Sequence, residues 1–449
     1  MNILIKNALT ILSCENHYIT KRTDIAIKDD IILAIGEIPS DFIPDETIDG
    51  EKYLASAGLI NCHTHSYMSL YRNYADDLSF SDWLFGKIDP LENKTTPDDA
   101  YYGALLSCIE MIKTGTTTFT DMHMFKNMTA KAADDAGMRA VISRGLVGED
   151  ENFGGEKRLD EAFEEMENYK DNSRISFMLA PHAIYTCNTE YLKKITGIAI
   201  GENIPLNIHL SETRYEVSES LKNYGKTPTE YLDSIGFFEQ KTLAAHCVHL
   251  TDNDIEILAK NKVSVAANPI SNLKLGNGFA PIPKLMEKGV NICIGTDSAA
   301  SNNSLNLFRD MNYTALIHKG VNEEAQCVSA EEVYRFATKN GADALSLYNT
   351  GELKAGKKAD IILLDLNSPS LNPYNNPVSA LSYSVNGSEV DTVIIDGKIV
   401  MRKKQLLTID EEKVYYNVNK IMERLSKKIN NKVVGKRITL FFPITFFIS

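Results

Sequence analysis

The chain begins with short apolar runs that are separated by turn residues. Runs such as Ile3-Leu4-Ile5, residues 8–12 and Ile31–Ile35 have the length and β-branched content of separate strands. The acidic pair Asp29-Asp30 lies between two of these runs and is typical of a hairpin turn. Residues 1 to 56 are therefore predicted to form a small β unit with too few strands to be stable alone.

From Ala57 onward, apolar runs alternate with segments of helical periodicity. The helical segments include residues 101–114, 158–170 and 228–235. Eight strand–helix units in about 300 residues are typical of a (β/α)8 TIM barrel, whose parallel strands are buried on both faces. The eight runs predicted as strands are residues 57–62, 116–121, 139–147, 175–181, 206–210, 242–247, 263–268 and 291–297.

Strand-like runs return after Gly351, at residues 358–364, 390–395 and 398–400, with a predicted turn at Asp396-Gly397 between the last two. We expect them to pair with the N-terminal strands, so that both chain termini build one small β-sandwich beside the α/β barrel. The predicted division is 1–56 and 351–410 for the sandwich, 57–350 for the barrel, and 411–449 for a C-terminal helix and an apolar tail. The sequence does not assign a role to the tail, residues 438–449, which is too short to span a bilayer.

Composition restricts the partners of the protein. The 449 residues carry a formal charge of -13, which disfavours binding to nucleic acid or to an anionic membrane surface. The seven cysteines are scattered and form no Cys-x-x-Cys pair, which argues against a disulfide framework and a cysteine-ligated zinc. No signal peptide or membrane-spanning run is recognisable, so a cytoplasmic location is expected.

Polar side chains follow several of the predicted strands. Because the carboxyl ends of barrel strands meet at one face, these side chains are expected to converge there. Three histidines and one aspartate fit a divalent metal that keeps an open position for water, although a His-x-His pair alone also occurs without a ligand role. The set chosen as metal ligands is His63, His65, His209 and Asp297; His182 and His246 also follow strands.

The metal and the acid–base groups can be predicted from the same residues. Imidazole suits zinc, with Fe2+ or Mn2+ as alternatives. We expect one divalent ion per subunit, because no lysine ends the fourth strand, where a carbamylated lysine would bridge two metal ions. Glu212, three residues after His209, is the predicted general acid and base. Asp297 is expected to accept a proton from the water, and His246 to orient that water.

Several motifs together resemble those of one enzyme family. The chain is similar to the amidohydrolase superfamily, and within it to the deaminases of 5'-methylthioadenosine and S-adenosylhomocysteine, from residue 1 to about 410. The superfamily motifs are His63-Thr64-His65 and residues 351–360. The narrower family is indicated by residues 68–72, 75–78, 83–84, 209–213, 246–250, 268–272 and 295–303.

The resemblance implies the same four metal ligands and adds substrate-binding residues. Glu92 would accept the ribose hydroxyls, and arginines would form bidentate contacts with an amino-acid carboxylate. The single tryptophan would cover a thioether or a base. The implied substrate-binding set is Glu92, Arg144, Arg158, His182, Glu212 and Trp83.

Two positions depart from the family pattern. Ala57 stands where a proline is usual, and Arg158 lies two residues farther from the double glycine than in some relatives. The first departure changes only backbone rigidity, and the second weakens the assignment of Arg158.

The implied activity is hydrolytic deamination of the 6-amino group of adenosine derivatives, with a small nucleoside as the expected partner. One alternative is hydrolysis of guanine, cytosine or a triazine at the same site, and another is an interaction protein without catalysis. Glu92 distinguishes a nucleoside substrate from a free base, because a free base has no ribose for this residue to bind. The preferred derivative, the native metal and any homo-oligomer are left open.

Overall fold

The computed structural model describes residues 1–14, 17–148 and 154–433, so the apolar tail lies outside the described residues. The strands are β1 Asn2–Cys14, β2 His17–Lys28, β3 Ile31–Ile35, β4 Glu46–Asp49, β5 Tyr53–Ala57, β6 Leu59–Thr64, β7 Thr116–His123, β8 Arg139–Leu146, β9 Ile175–Phe177, β10 Ala180–Pro181, β11 Leu206–Leu210, β12 Thr242–His246, β13 Ser264–Ala267, β14 Asn291–Ile294, β15 Ile361–Asp365, β16 Val390–Ile395, β17 Lys398–Arg402 and β18 Gln405–Leu406.

The described residues form sixteen α-helices, and helices are found at each of the three segments 101–114, 158–170 and 228–235 predicted above. They are α1 Phe80–Trp83, α2 Asp89–Glu92, α3 Pro97–Lys113, α4 Met128–Ala136, α5 Gly155–Tyr169, α6 Thr189–Gly201, α7 Arg214–Tyr224, α8 Pro228–Ser234, α9 Asp252–Lys260, α10 Pro269–Lys274, α11 Ile282–Glu287, α12 Leu307–Asn322, α13 Ala330–Phe336, α14 Lys339–Ala344, α15 Pro377–Tyr383 and α16 Glu411–Val433. Short 3-10 helices span Ser66–Tyr71, Phe237–Glu239 and Pro369–Leu371, and a π-helix spans Leu84–Ile88.

Strands from both chain ends form one nine-stranded sheet. Its order is β18-β17-β16-β15-β5-β1-β2-β3, and β4 pairs with β1. The two ends of the chain meet where β15 runs antiparallel to β5. The expected turn at Asp29-Asp30 connects β2 to β3, and the one at Asp396-Gly397 connects β16 to β17.

This terminal sheet has a hydrophobic core of its own. Side chains from both chain ends, among them Ile3, Ile25, Leu353 and Ile361, form a cluster separate from the main core. Burial of each such side chain contributes roughly 1.5–3 kcal/mol, so the pairing of the two ends is strongly favoured.

The middle of the chain is an α/β unit whose parallel strands build a half-barrel. One sheet has the order β10-β8-β7-β6 with β9 beside β8, and the other has the order β11-β12-β13-β14. A parallel bridge between Leu179 and Leu206 joins the two sheets on one side. On the other side the amide of Asp297 donates to the carbonyl of His63 at 2.9 Å. The fourth predicted strand, residues 175–181, is divided into β9 and β10.

Gly295 allows β14 to approach β6 closely. A Cβ atom at this position would lie 2.6 Å from the Cβ and 2.8 Å from the amide nitrogen of His63. Such contacts are too short for any side chain, so a residue without one is required where the backbone passes the histidine.

The described helices include none that is both long and apolar enough to cross a membrane.

Candidate active site

Four side chains at the carboxyl ends of β6, β11 and β14 converge on one point. Asp297 Oδ1 lies 3.6 Å from His63 Nε2 and 3.5 Å from His65 Nε2. His65 Nε2 and His209 Nε2 are 3.2 Å apart. The structure therefore brings together all four residues that the sequence predicted as metal ligands.

The hydrogen bonds of the histidines show which nitrogen faces this point. His65 Nδ1 lies 2.7 Å from the carbonyl oxygen of Met122, and His209 Nδ1 lies 2.8 Å from that of His182. A carbonyl can only accept, so each Nδ1 carries the proton and each Nε2 carries a lone pair. Two lone pairs 3.2 Å apart repel each other unless a cation lies between them.

The buried ring nitrogens of His63 are a second indication of a metal site. Both of its ring nitrogens are buried, and neither has a hydrogen-bond partner among the described residues. Burial lowers the pKa of His63 and of His209, which keeps both rings neutral and ready to donate a lone pair. Three imidazoles and one carboxylate match the donor set of a zinc-type ion with an open position.

Asp297 is held with one oxygen turned toward the histidines. Its Oδ2 accepts from the hydroxyls of Ser271 at 2.5 Å and Ser301 at 2.7 Å, which leaves Oδ1 facing the ligands. Burial alone would raise the pKa of Asp297, but the adjacent His65 and the Ser271 hydroxyl lower it to about 2. The carboxylate is therefore ionised at neutral pH.

Glu212 lies beside this cluster and is buried. Its Oε1 accepts from Asn277 Nδ2 at 3.0 Å, and its Oε2 lies 3.8 Å from His246 Nε2. Burial, together with the charge of Asp297, raises the pKa of Glu212 to about 8. A carboxyl group with this pKa is protonated at neutral pH and can donate a proton.

His246 presents an acceptor nitrogen to the same space. Its Nδ1 donates to Asn272 Oδ1 at 2.8 Å, so Nε2 carries the lone pair. Its ring centroid lies 5.2 Å from that of His63, and burial lowers the pKa of His246. A neutral imidazole in this position can accept a hydrogen bond from a water molecule at the ligand cluster.

Four residues at these strand ends have left-handed backbone conformations. The φ angles are +49° at Ser211, +73° at His246, +50° at Cys247 and +61° at Asp297. Each costs roughly 1–3 kcal/mol for a residue with a side chain, and such strain clusters where side chains are aimed at a site. The strained turns coincide with the residues that surround the ligand cluster.

Glu92 lies near the ligand cluster, at the end of α2. The buried hydroxyl of Tyr67 donates to Glu92 Oε1. Burial raises the pKa of Glu92, whereas the Tyr67 hydroxyl and the nearby charges of Arg158 and Arg144 oppose that rise. Glu92 therefore lies close enough to both arginines to interact with their charges, and its contact with ribose stays a prediction.

The two predicted arginines meet at Met124. Arg144 Nη1 lies 3.8 Å and Arg158 Nη1 lies 3.0 Å from Met124 Sδ. Arg158 also donates to the carbonyl of Gly145 at 3.1 Å, and Arg144 donates through Nε and Nη2 to Glu161 at 3.0 and 2.9 Å. Despite its altered spacing in the sequence, Arg158 therefore lies beside Arg144.

His182 lies beside the ligand cluster, whereas Trp83 packs in the apolar cluster near Glu92. The His182 ring lies 4.6 Å from that of His209, and burial lowers the pKa of His182 to about 3. Trp83 packs in an apolar cluster with Tyr67 and Leu91, the neighbours of Glu92. Its buried indole N–H has no hydrogen-bond partner among the described residues.

Several supporting residues were not predicted from the sequence. Ser271 and Ser301 lie within the motifs at 268–272 and 295–303. Those motifs indicated the family, but not that the two hydroxyls bind Asp297. Tyr67 and Asn277 carry no such signal, because only the fold brings them to Glu92 and Glu212.

Comparison with known proteins identifies relatives over nearly the whole chain. Residues 54–400 match the model of the amidohydrolase family. The chain is 48% identical to a 5-methylthioadenosine/S-adenosylhomocysteine deaminase of Caldanaerobacter subterraneus subsp. tengcongensis, with 95% of this chain and 99% of the relative covered. It is 47% identical to a 5'-deoxyadenosine deaminase of Methanocaldococcus jannaschii, with 90% and 97% covered.

The fold is also similar to a solved structure. The crystal structure of an adenosine deaminase from Xanthomonas campestris with bound zinc superimposes with a TM-score of 0.90. The two chains are 30% identical, and the superposition covers 95% of this chain and 98% of the other.

Proposed function

Because this chain belongs to the amidohydrolase family, we propose that it is a metal-dependent deaminase that hydrolyses the 6-amino group of adenosine derivatives and releases ammonia. The names of the relatives confirm the activity class predicted from the sequence. The observation that carries the proposal is the convergence of three histidines and an ionised aspartate beside Glu212, whose pKa is about 8.

We propose that His63, His65, His209 and Asp297 hold one divalent ion, with zinc as the first choice. The bound zinc of the similar adenosine deaminase and the unpartnered nitrogens of His63 support this choice. Such an ion supplies Lewis acidity, which makes a water molecule nucleophilic near neutral pH.

The residues of the chain divide the proton transfers between them. Asp297 accepts a proton from the attacking water, and the acceptor nitrogen of His246 holds that water in line with C6 of the purine. Glu212 donates its proton to ring nitrogen N1, which makes C6 electrophilic. The proton on Asp297 then leaves with the amino group as ammonia, and the remaining proton of the C6 hydroxyl returns to Glu212 as the C6 carbonyl forms.

The substrate-binding residues favour a nucleoside over a free base. Glu92 accepts hydrogen bonds from ribose hydroxyls, and His182 borders the purine. Arg144 and Arg158 lie where a charged 5' substituent would end, and Trp83 covers the apolar part. The candidate substrates are 5'-methylthioadenosine, S-adenosylhomocysteine and 5'-deoxyadenosine, as named in the relatives.

We further propose that the two parallel sheets close into the predicted (β/α)8 barrel, residues 57–350. The bridge at Leu179 and the hydrogen bond from Asp297 to His63 support closure on both sides. The separate core of the nine-stranded sheet supports a small β-sandwich made of residues 1–56 and 351–410.

An ammonia-release screen tests the proposed function. Zinc-loaded protein is given adenosine, the three candidate derivatives, guanine, cytosine and a triazine that carries amino substituents as its leaving groups. We expect release from the adenosine derivatives only. Release from guanine, cytosine or the triazine alone would support the free-base alternative, and no release from any compound would contradict an enzymatic role.

The variant Glu212→Gln tests the proton donor. It keeps the shape of the side chain but cannot donate the carboxylic proton, so kcat should fall by about 100-fold or more. Zinc content should be unchanged, because Glu212 is not a proposed ligand. A normal kcat in this variant would remove Glu212 from the mechanism.

A further inference from the structure

A second buried carboxylate, Glu216, lies four residues after Glu212 on the first turn of α7. Glu216 is only 1% exposed. Its Oε1 accepts from the amide of Ser211 at 3.0 Å, and its Oε2 accepts from the amide of Glu212 at 2.9 Å. Both oxygens of one side chain are thus bound to the backbone that carries the proton donor.

The turn that Glu216 holds is strained and is fixed from two sides. Ser211 has a left-handed φ of +49°, and its carbonyl accepts from the amides of Val248 at 3.1 Å and His249 at 2.9 Å. The amide side of the turn is held by Glu216. Without this carboxylate, two buried N–H groups would lose their acceptors, which is costly in a protein interior.

Glu216 is itself fixed by the start of the helix. The hydroxyl of Thr213, the N-cap of α7, accepts from the amide of Glu216 at 3.1 Å. None of the ion pairs among the described residues involves Glu216, and burial raises its pKa to about 7. Burying this carboxylate is costly, and its hydrogen-bond donors are the two amides of the turn.

We propose that Glu216 is a positioning residue for the proton donor: it holds the turn at Ser211 and Glu212 so that the Glu212 carboxyl reaches the purine. This inference rests on the proposed function. Two N–H donors require two acceptors, which a carboxylate supplies. A glutamine offers one acceptor and turns an NH2 group toward the other donor.

The variant Glu216→Gln tests the proposal by steady-state kinetics. Because small displacements of a catalytic group are costly, kcat should fall by about 10- to 100-fold. KM should change little, because Glu92 and the arginines are untouched, and zinc content should stay the same. Glu219→Gln is the matched control, since this partly exposed acid on the same helix pairs with Lys222 rather than with the turn. A wild-type kcat in Glu216→Gln would overturn the proposal.

A double-mutant cycle separates positioning from a general structural role. If Glu216 acts only through Glu212, the variant carrying both Glu212→Gln and Glu216→Gln should have activity within about threefold of Glu212→Gln alone. If the two losses multiply, Glu216 acts independently of Glu212, and the proposal is overturned.

Hydrogen exchange supplies a readout that needs no activity. The amides of Ser211 and Glu212 should exchange faster in zinc-loaded Glu216→Gln than in wild type, while peptides of β11 stay protected; unchanged exchange would overturn the proposal. Absence of ammonia release from the wild type would defeat the proposed function but leave this comparison intact. If Glu216→Gln does not fold, Glu216→Asp, which is too short to reach both amides, is measured in the same way with the same expectations.

Discussion

Asn277 offers a way to shift the pKa of Glu212 without changing the carboxyl group. Its Nδ2 donates to Glu212 Oε1 at 3.0 Å and so stabilises the ionised form. Replacing Asn277 by alanine should raise the pKa of Glu212. Because the protonated form is the active one, kcat/KM falls as pH rises through this pKa. The basic limb of the pH–rate profile should therefore move upward in Asn277→Ala, by about one pH unit.

The test is the difference in pH between the basic limbs of wild type and Asn277→Ala. The absolute position of either limb is no test, because a bound metal ion also lowers the pKa of Glu212 in both proteins. Both profiles are measured with zinc-loaded protein and the same adenosine derivative. A limb that stays in place, or that moves to lower pH, would show that the basic limb does not report on Glu212.

Tyr67 provides a test of the ribose contact. Its hydroxyl donates to Glu92, and this bond opposes the rise in pKa that burial causes. In Tyr67→Phe, Glu92 should be a weaker acceptor for ribose hydroxyls, and KM for adenosine derivatives should rise by about 5- to 10-fold.

Tyr71→Phe is the control for Tyr67→Phe, because the Tyr71 hydroxyl bonds to Thr95 at 2.7 Å instead of Glu92. Steady-state kinetics should show a nearly normal KM in this control. Equal KM values in Tyr67→Phe and Tyr71→Phe would show that the Tyr67 hydroxyl does not contribute to substrate binding.

The side chains of the site differ in how far the sequence predicts them. His63, His65 and His209 end apolar runs, so the rule that chemistry lies at the carboxyl ends of barrel strands is enough to group them. Tyr67 and Glu216 act through contacts made after folding, to Glu92 and to two backbone amides. No spacing in the sequence indicates such contacts.

Strands and helices were predicted better than the breaks within them. The runs at residues 3–5 and 8–12 read as two strands, because Lys6 and Asn7 between them are polar. They form the single strand β1, in which Asn7 adopts a φ of +54° and the pairing register shifts. An irregularity of this kind keeps the sheet continuous, so a polar pair is a poor guide to a strand end.

The closeness of β14 to β6 leads to a prediction about Gly295. In Gly295→Ala the new Cβ would lie 2.6 Å from the Cβ of His63, so β14 must move and carry Asp297 away from the histidines. Zinc content should fall to a small fraction of one ion per chain, as measured by metal analysis. Gly320→Ala on α12 is the control, because its Cβ meets no atom within 4 Å. Full zinc content in Gly295→Ala would contradict this packing.

The terminal sheet and the parallel strands are joined by a buried ionic network. Arg139, at the start of β8, donates through Nε to Asp360 at 2.9 Å and through Nη2 to Asp396 at 2.8 Å. The amide of Asp396 also donates to Asp360 at 2.7 Å. Arg139 and Asp360 are each 3% exposed, so their charges depend on each other. The sequence predicted that the chain ends pair, but not that one arginine of the middle segment holds them.

Arg139→Met removes one cation of this network and leaves the buried Asp360 without a charge partner, whereas Asp396 keeps Lys358 at 3.2 Å. Breaking a buried pair in this way should lower the free energy of unfolding by about 3–5 kcal/mol, measured by urea unfolding. Zinc content and KM should stay normal below the transition, because Arg139 begins a strand whose other end faces the site. The control Lys131→Met breaks an exposed pair with Asp135 and should cost less than about 0.5 kcal/mol. Similar losses in the two variants would mean that the network does not hold the terminal sheet to the parallel strands.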